Sequence, residues 1–273
     1  MSEARMRARI KAVDFAKGTA ILMIIIFHCY EAIFGWPGHD LCAFLRGGLI
    51  NSYPFSLDII YNIRDLLKLT GLGYQGVSVF VVMAGFLAVW STRGKEFNPY
   101  SYLGRRLHRI YPLYWIALLG VVTFNLLVYG NALASPLDIF MMFFGYYPLL
   151  VTSGWVLNPS FWFITLIIQL YIFFPILRRL YAKLNNIGFL LVAGAIAYIS
   201  SRTLMYIAPL AGQFFGCWLL EFSFGMVMAS NFDRINEILS HTVMIIPLAL
   251  AYAAGFLLTA YPDLWPIARP IYG

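Results

Sequence analysis

The chain has 273 residues, of which 61% are hydrophobic and 11% charged, with a net charge of +7 and a mean hydropathy of +0.77. Soluble domains hold roughly 45–50% apolar and about 25% charged residues, so this balance excludes an ordinary soluble domain and predicts an all-α, polytopic transmembrane helix bundle. The basic residues cluster between apolar runs, where they set topology, so nucleic acid is not an expected partner. Cys29, Cys42 and Cys217 have no paired spacing, which predicts neither a disulfide framework nor a metal site.

The first predicted span covers residues 13–36 and follows Arg5, Arg7, Arg9 and Lys11. Those cations place the N-terminus in the cytoplasm. No small-residue cleavage site follows the apolar run, so the span is read as uncleaved. It carries Asp14, Lys17, His28 and Glu31, and a charged group at mid-bilayer costs roughly 3 kcal/mol or more. Lys17 and His28 are separated by three turns of helix, which puts both on one face about 16 Å apart along the axis. Asp14 and Glu31 fall within about 100° of that stripe. One side of the helix is therefore a polar seam that must face protein or water.

Residues 37–70 read as an outer loop with a short surface helix over 57–69, and residues 71–90 as a second span whose Ala84 and Gly85 suit close helix packing. An inner segment, 91–109, carries Arg93, Lys95, Arg105, Arg106 and Arg109 ahead of a third span over 110–130, with Pro112 expected in its first turn. Arg105, Arg106 and Arg109 are spaced to crowd one inward-facing surface if the helix starts before the membrane. Residues 138–151 are too few to cross a bilayer and are read as re-entrant or interfacial, which also keeps the next basic cluster, Arg178, Arg179 and Lys183, inside. Further spans are expected over 160–177, 187–201, 206–230 with Gln213, Cys217 and Glu221, and 242–260. The predicted total is about seven spans in one integral-membrane domain, 1–273.

Four stretches in order resemble the membrane-bound acyltransferase 3 family, which moves acyl groups, mostly acetyl, onto carbohydrates. They are KGTAILMIIIFH (17–28), GVSVFVVMAGFL (76–87), RRLHRIYPLYW (105–115) and FWFITLIIQLYIFFP (161–175). The first matches the family signature of a basic residue, ten residues and then His. The chain departs from the family pattern at Ile167 and Ile168, where family members often carry acidic residues, and in its span count. About ten spans are usual in the family, so a short member or a fragment lacking its last helices is expected.

The resemblance implies acyl-CoA, chiefly acetyl-CoA, as acyl donor and a carbohydrate or glycolipid as acceptor, in an O-acetyltransferase of polysaccharide modification in a bacterial inner membrane. His28 is the expected general base, since imidazole suits proton abstraction from a hydroxyl near neutral pH. Lys17 is expected to steer the acyl donor or to pair with Asp14, and Arg105, Arg106 and Arg109 to bind its phosphates. Glu31 and Glu221 are supporting carboxylates, and Trp162 and Tyr171 are candidates for lining an acceptor groove. Against these stand simpler readings: Lys17 snorkels, His28 bonds a carbonyl, and the arginines only set topology. The rival function is a transporter or flippase using Lys17, His28, Glu31 and Glu221 as a solute or proton path. A second rival is a non-catalytic remnant that binds ligand without turnover.

Overall fold

The computed structural model describes residues 14–15, 17–29, 75–132, 134–145, 157–207 and 214–234, and all regular structure among them is helical. The helices are α1 (Lys17–Cys29), α2 (Gln75–Trp90), α3 (Pro99–Tyr129), α4 (Pro136–Phe143), α5 (Trp162–Lys183), α6 (Asn186–Ile207) and α7 (Leu219–Ser230). Single 3-10 turns, Pro159–Phe161 and Phe215–Trp218, lead into α5 and α7.

The all-α reading holds, but the expectation of about seven spans is corrected. Among the described residues three helices are long and apolar enough to cross a membrane: Pro99–Tyr129, Trp162–Lys183 and Asn186–Leu204. Hydropathy counts apolar residues, whereas crossing requires about 20 of them on one continuous helix. The helices Lys17–Cys29, Gln75–Trp90 and Phe215–Ser230 fall short of that length, the first rising only about 20 Å. The expected span over 242–260 and the surface helix over 57–69 lie outside the described residues. Of the segment 138–151, residues up to 143 belong to α4, whose eight residues cover about 12 Å.

Pro112 is also corrected, because α3 starts at Pro99 and places it well inside the helix. The longer helix follows from Asn98, whose side chain accepts the Ser101 amide at 3.1 Å and caps the new start ahead of Pro99. At Pro112 the helix lacks the N–H that would bond the His108 carbonyl.

The chain forms two compact units, one of residues 1–85 with 228–273 and one of residues 86–227. In the first, α1 meets α2 where Gly76 leaves no room for a side chain: a Cβ there would lie 2.5 Å from the Ala20 carbonyl oxygen and 2.9 Å from Ile24. In the second, α5 packs on both α3 and α6. Within its apolar stretch 44% of residues are buried, against 17% for α3 and 22% for α6, which makes α5 the central helix of that unit. The 3-10 turn before α7 lies against α6 and α5. There the Phe215 amide donates to Gln169 Oε1 at 3.2 Å, Phe215 stacks on Phe173 at 3.9 Å, and Trp218 stacks on Trp162 at 5.9 Å.

Gly76→Ala is expected to cost about 1–3 kcal/mol by forcing α1 and α2 apart. Gly104→Ala, which would meet nothing within 4 Å, is expected to be neutral or slightly stabilising. Thermal unfolding of the two variants in detergent separates these outcomes.

Candidate functional site

In α1 the buried stripe is Ala20 and Phe27, with Lys17, Ile24 and His28 half-buried beside it. Phe15, Leu22, Ile25 and Ile26 are exposed on the other side. Lys17 and His28, two of the four residues of the expected polar seam, therefore lie on the half-buried side of the helix, opposite its exposed apolar face. This follows from spacing, since positions 17, 20, 24, 27 and 28 recur at three- and four-residue steps. The His28 ring meets the edge of Phe27 at 5.3 Å between centroids. Asp14 is exposed, and Glu31 lies outside the described residues.

Lys17 and His28 belong to the first unit; Arg105, Arg106, Arg109 and Glu221 belong to the second. The arginine trio does not form one uniform surface. Arg105 and Arg109 are exposed, with Arg105 donating to the Ser101 hydroxyl. Arg106 turns inward instead. Its Nη2 donates to the Leu87 carbonyl at 2.8 Å and to Ser91 Oγ at 2.9 Å. Its guanidinium carbon lies 5.4 Å from the Tyr102 ring centroid and 5.1 Å from that of Tyr171. Arg106 thus fastens α3 to the end of α2 while resting on two aromatic faces, each contact worth about 0.5–2 kcal/mol.

The same aromatic cluster, Phe97, Tyr102, Tyr171 and Phe174, carries a second cation. Arg178 places its guanidinium carbon 4.4 Å from the Phe97 ring centroid. Tyr171, expected to line a groove, is a buried member of this cluster, and Trp162 is stacked on Trp218. Glu221 is 2% exposed and sits in the first turn of α7, where the helix N-terminus favours a carboxylate. Its neighbour Phe222 reaches Phe174 at 6.4 Å. Among the described residues no group of His, Cys, Asp and Glu is arranged to hold a metal ion.

Reading the sequence missed the set of side chains that docks α4. Ser135 and Asp138 close its start as a capping box, through Ser135 Oγ accepting the Asp138 amide at 3.1 Å and Asp138 Oδ2 accepting the Ser135 amide at 3.3 Å. The Ser135 hydroxyl also donates to Asp138 Oδ2 at 2.8 Å. At its end four successive carbonyls accept side-chain donors. Tyr114 donates to Met142 at 2.7 Å, Trp115 to Phe143 at 2.9 Å, Tyr111 to Phe144 at 2.7 Å, and Thr165 to Gly145 at 2.7 Å. The signal was present in IYPLYW, because positions 111, 114 and 115 share one helix face. Gly145 turns the chain with φ +76, and a Cβ there would lie 2.5 Å from Ile168 and 3.2 Å from the Tyr111 hydroxyl, so only glycine meets both demands.

Tyr114→Phe and Thr165→Val remove buried bonds and are each expected to cost roughly 1–3 kcal/mol by leaving a buried carbonyl short of a donor. Tyr111→Phe, whose bond is exposed, is expected to cost less. Thermal midpoints in detergent give the ranking.

Residues 10–268 match the family described as acyltransferase domain. The acyltransferase MdmB of Streptomyces mycarofaciens is 31% identical over 192 residues, which cover 60% of this chain and 48% of that protein. The chain thus spans about half the length of this curated relative. No solved structure matches it. With the family match running nearly from end to end, and with helices long and apolar enough to cross a membrane, the chain belongs to the acyltransferase 3 family of membrane-bound acyltransferases.

Proposed function

We propose that this protein transfers an acetyl group from acetyl-CoA to a hydroxyl of a carbohydrate or glycolipid at the cell membrane, with its N-terminus in the cytoplasm and residues 1–273 acting as one acyltransferase domain. The observation that carries this reading is the placement of Lys17 and His28 on the half-buried side of a single helix, α1, within the stretch covered by the family match. An ionisable pair held on the protein-facing side of an apolar helix is suited to chemistry rather than to snorkelling.

His28 acts as general base. It takes the proton of the acceptor hydroxyl as that oxygen bonds to the thioester carbonyl carbon; the carbon–sulfur bond breaks, and the departing sulfur takes the proton to leave as the coenzyme A thiol. Transfer is direct, because Cys29, the nearest nucleophile in sequence, is exposed and turned about 100° from His28 around the helix. Lys17, three turns from His28 on the same face, steers the phosphate or pantetheine end of acetyl-CoA. Asp14, Glu31 and Glu221 are supporting carboxylates.

Arg105 and Arg109 bind the acyl donor's phosphates, with Arg106 supporting them. Arg105 and Arg109 offer exposed guanidinium groups one turn apart, while Arg106, held by Leu87 and Ser91, fixes the helix that presents them. Forked guanidinium donors suit phosphate oxygens.

His28→Ala is expected to abolish transfer of labelled acetyl from acetyl-CoA in nanodiscs while leaving insertion and thermal stability unchanged; transfer at the normal rate would remove His28 from the mechanism. Arg105→Ala and Arg109→Ala are each expected to raise the KM for acetyl-CoA roughly tenfold, with little effect on the acceptor KM.

A further inference from the structure

A groove of about 420 Å³ lies between α3 and the end of α4, with His108, Tyr111, Pro112, Trp115, Phe143 and Phe144 among its walls. The docking bonds make it rigid. The Tyr111 hydroxyl and the Trp115 indole N–H are both committed to the carbonyls of Phe144 and Phe143, and the Trp115 and Phe143 rings stack at 4.8 Å with 4° between planes. What these residues turn to the groove is therefore almost wholly apolar.

The mouth is different. His108 is exposed on the groove wall, and Arg105 and Arg109, also exposed, lie on the same stretch of α3. Farther along α3 the exposed residues include Leu113, Ile116 and Leu119, an apolar surface suited to lipid. Cations at one end of an apolar trough beside a lipid-facing surface match a molecule with an anionic head and a hydrocarbon tail. Basic pockets between membrane helices commonly take anionic headgroups.

We propose that this groove binds an anionic phospholipid of the surrounding membrane. The phosphate is held by His108 at the mouth, and one acyl chain lies along Tyr111, Pro112 and Trp115 against Phe143 and Phe144. A pantetheine arm fits the trough poorly, since its two amides would be buried where the wall donors are already in use. A hydrocarbon chain needs no such partners. The inference rests on the groove alone and does not depend on the transfer reaction.

The test is native mass spectrometry of the full chain in detergent, titrated with dioleoylphosphatidylglycerol or dioleoylphosphatidylcholine, alongside acetyl-CoA binding. Wild-type protein is expected to retain the anionic lipid about fivefold more strongly than the zwitterionic one. His108→Gln, at an exposed position and thus safe for folding, should remove most of that preference without changing acetyl-CoA affinity. Phe144→Ala, altering another exposed side chain, should weaken both lipids alike. Equal retention of the two lipids by wild-type protein, an unchanged preference in His108→Gln, or unchanged retention in Phe144→Ala would overturn the proposal. So would a loss of acetyl-CoA binding in His108→Gln matching its loss of lipid, because the groove would then belong to the acyl donor.

Discussion

Four successive carbonyl oxygens at the end of α4, from Met142 to Gly145, take side-chain donors from α3 and α5, Met142 in addition to the Gly145 amide, and these bonds tie the second unit together. A helix end leaves its last carbonyls without intrahelical partners, and no water is on hand in hydrocarbon to serve them. Tyr111, Tyr114 and Trp115 answer from one face of α3, and Thr165 answers from α5. The short helix thereby ties two long ones together. The apolar residues Leu118, Met142, Leu157 and Phe161 are buried with Tyr114 in one cluster. The Tyr114 and Thr165 bonds, both buried, therefore lie in low dielectric where each is hard to replace, while those of Tyr111 and Trp115 lie at the exposed side.

A second constraint concerns the cations. Arginine in an apolar protein must be either at a water-facing end or satisfied internally. Both solutions occur side by side on α3. Arg105 and Arg109 are exposed, whereas Arg106 spends its donors on Leu87 and Ser91 and its flat faces on Tyr102 and Tyr171. The exposed pair flanks a half-buried neighbour that is anchored to α2. That division lets one run of sequence both fasten α3 to α2 and leave two guanidinium groups exposed.

In the first unit the same economy applies to α1. Gly76 brings α2 against the Ala20 carbonyl, and this close approach decides which side of α1 is covered. Lys17 and His28 fall on that side, and the exposed Leu22, Ile25 and Ile26 on the other. A larger residue at Gly76 would change the setting of the candidate base without touching it.

Much was legible from the sequence alone. The all-helical membrane character follows from composition, the shared face of Lys17 and His28 from helical periodicity, and the family from ordered motifs, because each depends on local spacing that survives in one dimension. The span count did not follow, since hydropathy marks where a helix is favourable and not its length, and among the described residues Lys17–Cys29, Gln75–Trp90 and Phe215–Ser230 are shorter than a span requires. Nor did the split among Arg105, Arg106 and Arg109, or the role of IYPLYW as the dock for α4. Those outcomes depend on which carbonyls and rings from distant segments arrive beside each side chain. Sequence determined the polarity of each helix face; only tertiary structure decided which partner met it, because hydrogen bonds and aromatic contacts require positions in space that chain spacing does not contain.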